Sequence, residues 1–112
     1  MQKEYIEEFL NGDLVFRLNG DESLLDLLQE AVESRVEDDG GLMHDLLSAK
    51  SVGRYACANS EENACISWDK SSNLFGWCQE SWYIGCGYKI IPIEEAFSDE
   101  LSSNTEEWMK LL

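Results

Sequence analysis

Bases are scarce in this chain: eight Lys and Arg stand against 23 Asp and Glu in 112 residues, a net charge of −15. That balance argues against direct nucleic-acid binding through a basic surface and against anionic membranes, and it makes any large charged partner basic. Long apolar runs are lacking too. Stretches such as Leu24-Leu25 and Ile90-Ile91 fall far short of the roughly 20 residues that span a bilayer. No basic segment followed by an apolar one opens the sequence, so the expectation is a cytoplasmic protein that does not follow the usual secretory route. There is one histidine and one proline. Glycine-rich phosphate loops, nucleophile elbows and H-E-x-x-H zinc helices are missing. The expectation is therefore a non-enzyme with no catalytic residues, no metal and no cofactor.

What is present is enough apolar material to fold. Hydrophobic residues make up 44% of the chain, with four Trp, four Tyr and four Phe, too many for a disordered polypeptide. The length suits a single domain over residues 1–112, with 98–112 as a linker plus C-terminal helix. Tyr5, Ile6, Phe9 and Leu10 have helical spacing before the stop at Asn11-Gly12. Residues 13–18 have strand composition. Leu24, Leu25, Leu27, Leu28, Ala31, Val32 and Val36 line one side of a helix over 22–36. Residues 42–50 suit another short helix. The runs at 53–58 and 64–68 read as a hairpin with a long loop. After the turn at 69–73, residues 74–87 suggest a strand followed by a helical turn near Gln79 to Ile84. Residues 87–92 form a strand that Pro92 confines to an edge or ends, and Ile93 to Phe97 a single helical turn. The predicted fold is α+β: a small, mostly antiparallel sheet of 13–18, 53–58, 64–68 and 87–92, packed against the amphipathic helix at 22–36 with short flanking helices.

Cys57, Cys65, Cys78 and Cys86 lack the paired C-x-x-C spacing of zinc ribbons or redox dithiols. They read as buried, inert thiols kept reduced in the cytosol. His44 beside Asp45 reads as a solvated or structurally bonded side chain. Trp68, Phe75, Trp77, Trp82, Tyr83 and Tyr88 form an aromatic group that serves either as core or as the lining of a ligand pocket.

Charge is segregated along the chain. Residues 50–91 are neutral, whereas 21–39 hold eight acids against Arg35, and 94–107 hold six acids against no base. At about 100° per residue, Glu22, Asp26, Glu30, Glu33 and Glu37 fall within an arc of about 80°. They form an acidic ridge opposite the leucines, with no lysine interleaved along the helix. Mutual repulsion along it costs on the order of 1 to 2 kcal/mol in total. The macrodipole favours Glu22 and Asp26 but disfavours Glu33 and Glu37. Solubility needs a net charge of only about 2 to 8 in magnitude. Glu22, Asp26, Glu30, Glu33, Glu37, Asp38 and Asp39 are therefore candidate partner-binding residues, with a solvated helix face as the plainer account.

FLNGDLVFRL, the acidic Leu-rich helix, and ACISWDKSSNLFGWCQESWYIGCGYKIIPIEEAF together resemble a small module common among uncharacterised bacteriophage proteins. The likeness spans about residues 9 to 97, and its most specific parts are Phe9 to Gly12 and Gly87 to Ile91. The acidic loop and the four cysteines depart from that pattern, which carries over no catalytic residue. The resemblance implies a phage or prophage origin in a bacterial host. By analogy of class it implies an inhibitor of host defence, anti-CRISPR-like, that occupies the basic surface of a CRISPR effector or nuclease. Two other readings stay open: an immunity or antitoxin-like partner of a basic toxin, and a small-molecule-sequestering module built on Trp77, Trp82 and Tyr83. The apolar side of the last helix around Trp108 closes either on its own domain or on a second copy, which leaves a homodimer open.

Overall fold

The computed structural model describes residues 3–35 and 48–97. In chain order the elements are α1 (Lys3–Leu10), β1 (Leu14–Arg17), α2 (Glu22–Glu33), α3 (Ala49–Asn59), β2 (Ala64–Asp69), β3 (Leu74–Gln79), α4 (Glu80–Cys86), β4 (Lys89–Pro92) and α5 (Ile93–Ala96). The four strands form one sheet in the order β3-β2-β1-β4. β1–β2 and β2–β3 are antiparallel and β1–β4 is parallel. The fold is α+β with a mixed, mostly antiparallel sheet, as the sequence suggests.

Alternation along the strands divides the side chains between two faces. Leu14, Phe16, Ile66, Trp68 and Phe75 join Ile6 and Phe9 of α1, Leu24, Leu25 and Leu28 of α2, Ala49 and Ala56 of α3, and Ile93 and Phe97 in the main core. Phe9 stacks on Phe16 with ring centroids 4.8 Å apart. Val15 and Cys65 point to the opposite face, where Tyr83 of α4 covers them beside Cys78 and Ile90.

Local chemistry sets the element ends. Gly12 closes α1 at φ +82, a left-handed conformation that glycine adopts without a Cβ penalty. Its N–H donates to Phe9 O and the Asp13 N–H to Glu8 O, at 3.1 and 3.0 Å. Asp21 caps α2 by accepting from the Ser23 N–H at 3.0 Å. At the other end the Ser34 hydroxyl and the Arg35 guanidinium both donate to Ala31 O. These bonds satisfy a terminal carbonyl and stop α2 at Glu33, short of the expected end at residue 36.

Residues 53–58 are helical, which overturns the expected strand there. Ser48 caps α3, and Ala49, Gly53 and Ala56 are its buried residues. Small residues at that helical spacing let α3 lie close against α2. The β-forming residues in the same run, Tyr55 and Cys57, face outward. The fourth strand is β3 instead. It pairs with β2 through a turn in which Asp69 accepts from the Ser71 N–H at 3.0 Å and Asn73 takes a positive φ of 56. Of the helix expected at 42–50, Ala49 and Lys50 belong to α3, and 42–47 lie outside the described residues. The C-terminal helix with Trp108 lies outside them too.

The α2–α3 seam leaves no room at Gly53, where a Cβ would come within 2.5 Å of Leu25 Cδ1. Leu25 is itself buried and has little freedom to yield. Gly53→Val should destabilise the fold by about 1–3 kcal/mol through overpacking. Urea unfolding checks this, and a variant as stable as its parent contradicts the seam.

Candidate functional site

The solvent face of α2 presents Glu22, Asp26, Glu30 and Glu33 at helical spacing, as expected, but the first half of this ridge is not bare. Two cations reach it from α3. The Arg54 guanidinium grips Glu22 in a fork, donating from Nε to Oε1 and from Nη2 to Oε2, the latter at 2.8 Å. Those hydrogen bonds hold the Glu22 carboxyl below the usual carboxylate range. Lys50 Nζ lies 3.9 Å from Asp26 and 4.0 Å from Glu22. α2 carries no base of its own, as expected, but the ridge is not without counterions, since these come from the neighbouring helix. Further along, Glu33 accepts from Gln29 Nε2 at 2.9 Å, whereas exposed Glu30 enters none of the ion pairs among the described residues. Glu37, Asp38, Asp39 and His44 lie outside the described residues.

The sheet divides the aromatic group. Trp68 and Phe75 pack edge to face at 5.0 Å within the core, and Trp77 packs on the helix side, 5.8 Å from Tyr55. Trp82, Tyr83 and Tyr88 gather on the second face, with Trp82 5.1 Å from Tyr83 and Tyr83 5.3 Å from Tyr88. The rings of Trp77 and of the Trp82 and Tyr83 pair thus pack on different sides of the sheet, yet all three residues line one open cavity, the grouping that the pocket reading expects.

Beside the second trio is an open cavity of about 560 Å³, walled in part by Val15, Ser67, Gly76, Cys78, Trp82 and Tyr83. It exists because α4 is only seven residues long and covers part of the second face. Trp82 is 53% exposed and Tyr88 37%. The cavity size falls within the usual range for small-ligand sites.

Polar contacts anchor α4 beside this cavity. Glu80 accepts from Arg17 at 3.3 Å and from Asn63 at 3.2 Å. Tyr83 donates its hydroxyl to Ser67 Oγ at 2.9 Å. Burial pushes the Tyr83 phenol up to about 12, so it remains a proton donor at neutral pH. At the far end of α4, Gly87 turns left-handed at φ +82, its N–H donating to Ile84 O and the Tyr88 N–H to Tyr83 O, both at 3.1 Å. The second turn sets Tyr88 beside Trp82.

The thiols divide between interior and surface. Cys65 is buried, Cys78 half-buried, and Cys57 and Cys86 are exposed, which corrects the expectation of four buried thiols. Cys65 lies opposite Cys78 in the β2–β3 register. Burial pushes the Cys65 thiol up to about 12, far from the thiolate that a nucleophile requires. Among the described residues no three His, Cys, Asp or Glu side chains gather as a metal cluster, and no helix is long and apolar enough to cross a membrane. No family model, curated protein or solved structure matches the chain.

Glu62 also holds α4 in place, accepting from the Ser81 N–H at 2.7 Å. Its carboxyl is lowered by the Ser81 side-chain and backbone hydrogen bonds. A lowered folded-state value means that the contribution is fully present above the unfolded value, about 4.3 for glutamate, and is lost as pH falls through the folded one. The exchange protection of the Ser81 amide should therefore drop on acidification below about pH 4. Glu62→Gln should flatten that drop, and an identical profile in both proteins would rule out Glu62 as its source.

Proposed function

We propose that the protein is a stoichiometric, non-catalytic inhibitor that binds the basic nucleic-acid-binding surface of a nuclease or related host protein. One observation carries this reading. The net charge is −15, and internal ion pairing does not remove it. The ion pairs among the described residues include those of Glu8, Glu22, Asp26 and Glu80. Asp13, Glu30 and Glu61 are exposed and outside those pairs. A protein that holds nucleic acid with Arg and Lys offers the complementary field, which speeds encounter and fixes orientation.

Within the ridge, this reading now favours the Glu30 and Glu33 end. Glu22 is committed to Arg54, and using it for a partner would require breaking that fork. The phage-module resemblance supports an origin in a phage or prophage, and the class analogy makes an anti-CRISPR-like role its most specific form.

The test is retention of basic nucleic-acid-binding proteins from a bacterial lysate by the immobilised chain, followed by inhibition of the purified partner. Retention should fall as salt rises from about 50 mM to about 500 mM, since the Debye length shrinks over that range. Glu30→Gln combined with Glu33→Gln should weaken affinity roughly threefold to tenfold, and Glu22→Gln should weaken it less. Binding indifferent to both salt and charge overturns the proposal. A second reading, sequestration of a small apolar ligand, is favoured by the exposed Trp82 and Tyr88 beside the open cavity. It predicts salt-independent quenching of Trp82 fluorescence.

A further inference from the structure

The two edges of the sheet are built differently. β4 carries Lys89 at its start and Pro92 at its end, both devices that discourage pairing with another chain. β3, on the opposite edge, reads Leu-Phe-Gly-Trp-Cys-Gln, with no charge and no proline. It is also the longer of the two, six residues against four.

Hydrogen-bond phase shows which backbone groups of β3 are available. The Leu18 N–H donates to Ala64 O across β1–β2, and the Glu80 N–H to Asn63 O beyond the end of the β2–β3 ladder. Residues 64, 66 and 68 therefore turn their backbone toward β1, and 65, 67 and 69 turn theirs toward β3. By the register Cys65↔Cys78 and Ser67↔Gly76, Gly76 and Cys78 bond to β2. The N–H and C=O groups of Phe75 and Trp77 face away from β2, on the side where β3 pairs with no strand among the described residues. Among the described residues no hydrogen bond outside the ladder reaches them.

The flanks of this edge suit an added strand. Such a strand runs about 4.8 Å from β3, so its side chains alternate between the two faces. On the helix side they meet Tyr55, 60% exposed and packed edge-on to Trp77. On the second face they pass Gly76, which contributes no side chain, and approach the cavity beside Trp82. The nearby sequence is modestly negative: residues 60–80 carry Glu61, Glu62 and Asp69 against Lys70, with Glu80 matched by Arg17. Hydrogen bonds from Ser71 and Ser81 hold Asp69 and Glu62 in the ionised form.

We infer that the free edge of β3 is a docking site for an extended, basic segment of a partner protein, which joins the sheet as a fifth strand. Main-chain bonds to Phe75 and Trp77 supply register, and the surrounding carboxylates select for positive charge. The choice of a basic occupant rests on the function proposed above; the strand geometry does not.

An eight-residue peptide of alternating Arg and Val is the probe, with a counterpart N-methylated at every amide and an uncharged Thr-Val peptide of the same length. The Arg-Val peptide should bind and slow exchange of the Phe75 and Trp77 amides, while the Gly76 amide, already bonded to β2, changes little. N-methylation should weaken binding at least roughly tenfold, because the donors of the added strand are gone. Equal affinity for the methylated peptide, or no change at Phe75 and Trp77, overturns the edge assignment. Thr-Val binding as tightly as Arg-Val, with protection at both amides, overturns the basic occupant and the charge reading beneath it while the edge stands. Concentration-dependent self-association that protects the same amides without peptide overturns the inference in favour of a second copy of the chain.

Discussion

Leu14, Val15 and Phe16 are consecutive and fully buried, and a strand whose successive side chains leave on opposite faces can bury all three only if both faces are covered. That constraint arranges the molecule. Leu14 and Phe16 draw the helices α1, α2 and α3 to one side, where most of the large side chains collect. Val15 requires cover on the other side, and the chain supplies it with α4 and Tyr83. Because α4 is two turns long, the cover is partial. The exposed aromatics and the open cavity follow from the same shortage of material.

A chain at −15 can afford few positions at which its own cations are held in place, so the placement of each one matters. Arg54 and Lys50 reach α2 only because Ala49, Gly53 and Ala56 let α3 approach closely. Packing between two helices thus decides which carboxylates of the ridge are matched and which are left to solvent. Arg17 and Lys89 are also committed, to Glu80 and Glu8. Arg17 helps hold α4 over the second face, so the charge that is neutralised serves the architecture.

The parts legible in the sequence are those set by local signals. α1 and α2 show through helical spacing and through the Asn11-Gly12 stop, while the choice of Asp21 as the α2 cap is made by the structure. The edge position of β4 shows through Pro92, and the turn before β3 through Asp69 to Asn73. The strand assigned to 53–58 fails because Tyr55 and Cys57 suggest a strand by composition, while the decisive pattern is the small residues at 49, 53 and 56. Small residues mark a helix seam only when a second helix is known to lie there. The ridge was legible as a face of α2 but not as a charge pattern, since its counterions arrive from residues 50 and 54, 24 to 32 positions away. The aromatic group could not be sorted without the register, which sends Trp77 to one side of the sheet and leaves Trp82 on the other.

Edge protection is a property of the whole sheet, and here it is uneven. A strand with neither charge nor proline at an open edge is an aggregation hazard unless something opposes pairing with identical copies. Net charge is one such opposing force, since two chains at −15 repel wherever their edges meet. The same field attracts a cationic strand. An unguarded edge on a highly acidic protein is thus discriminating without any side-chain device of its own: self-pairing is resisted at long range, while a basic segment is drawn toward the backbone groups that can receive it.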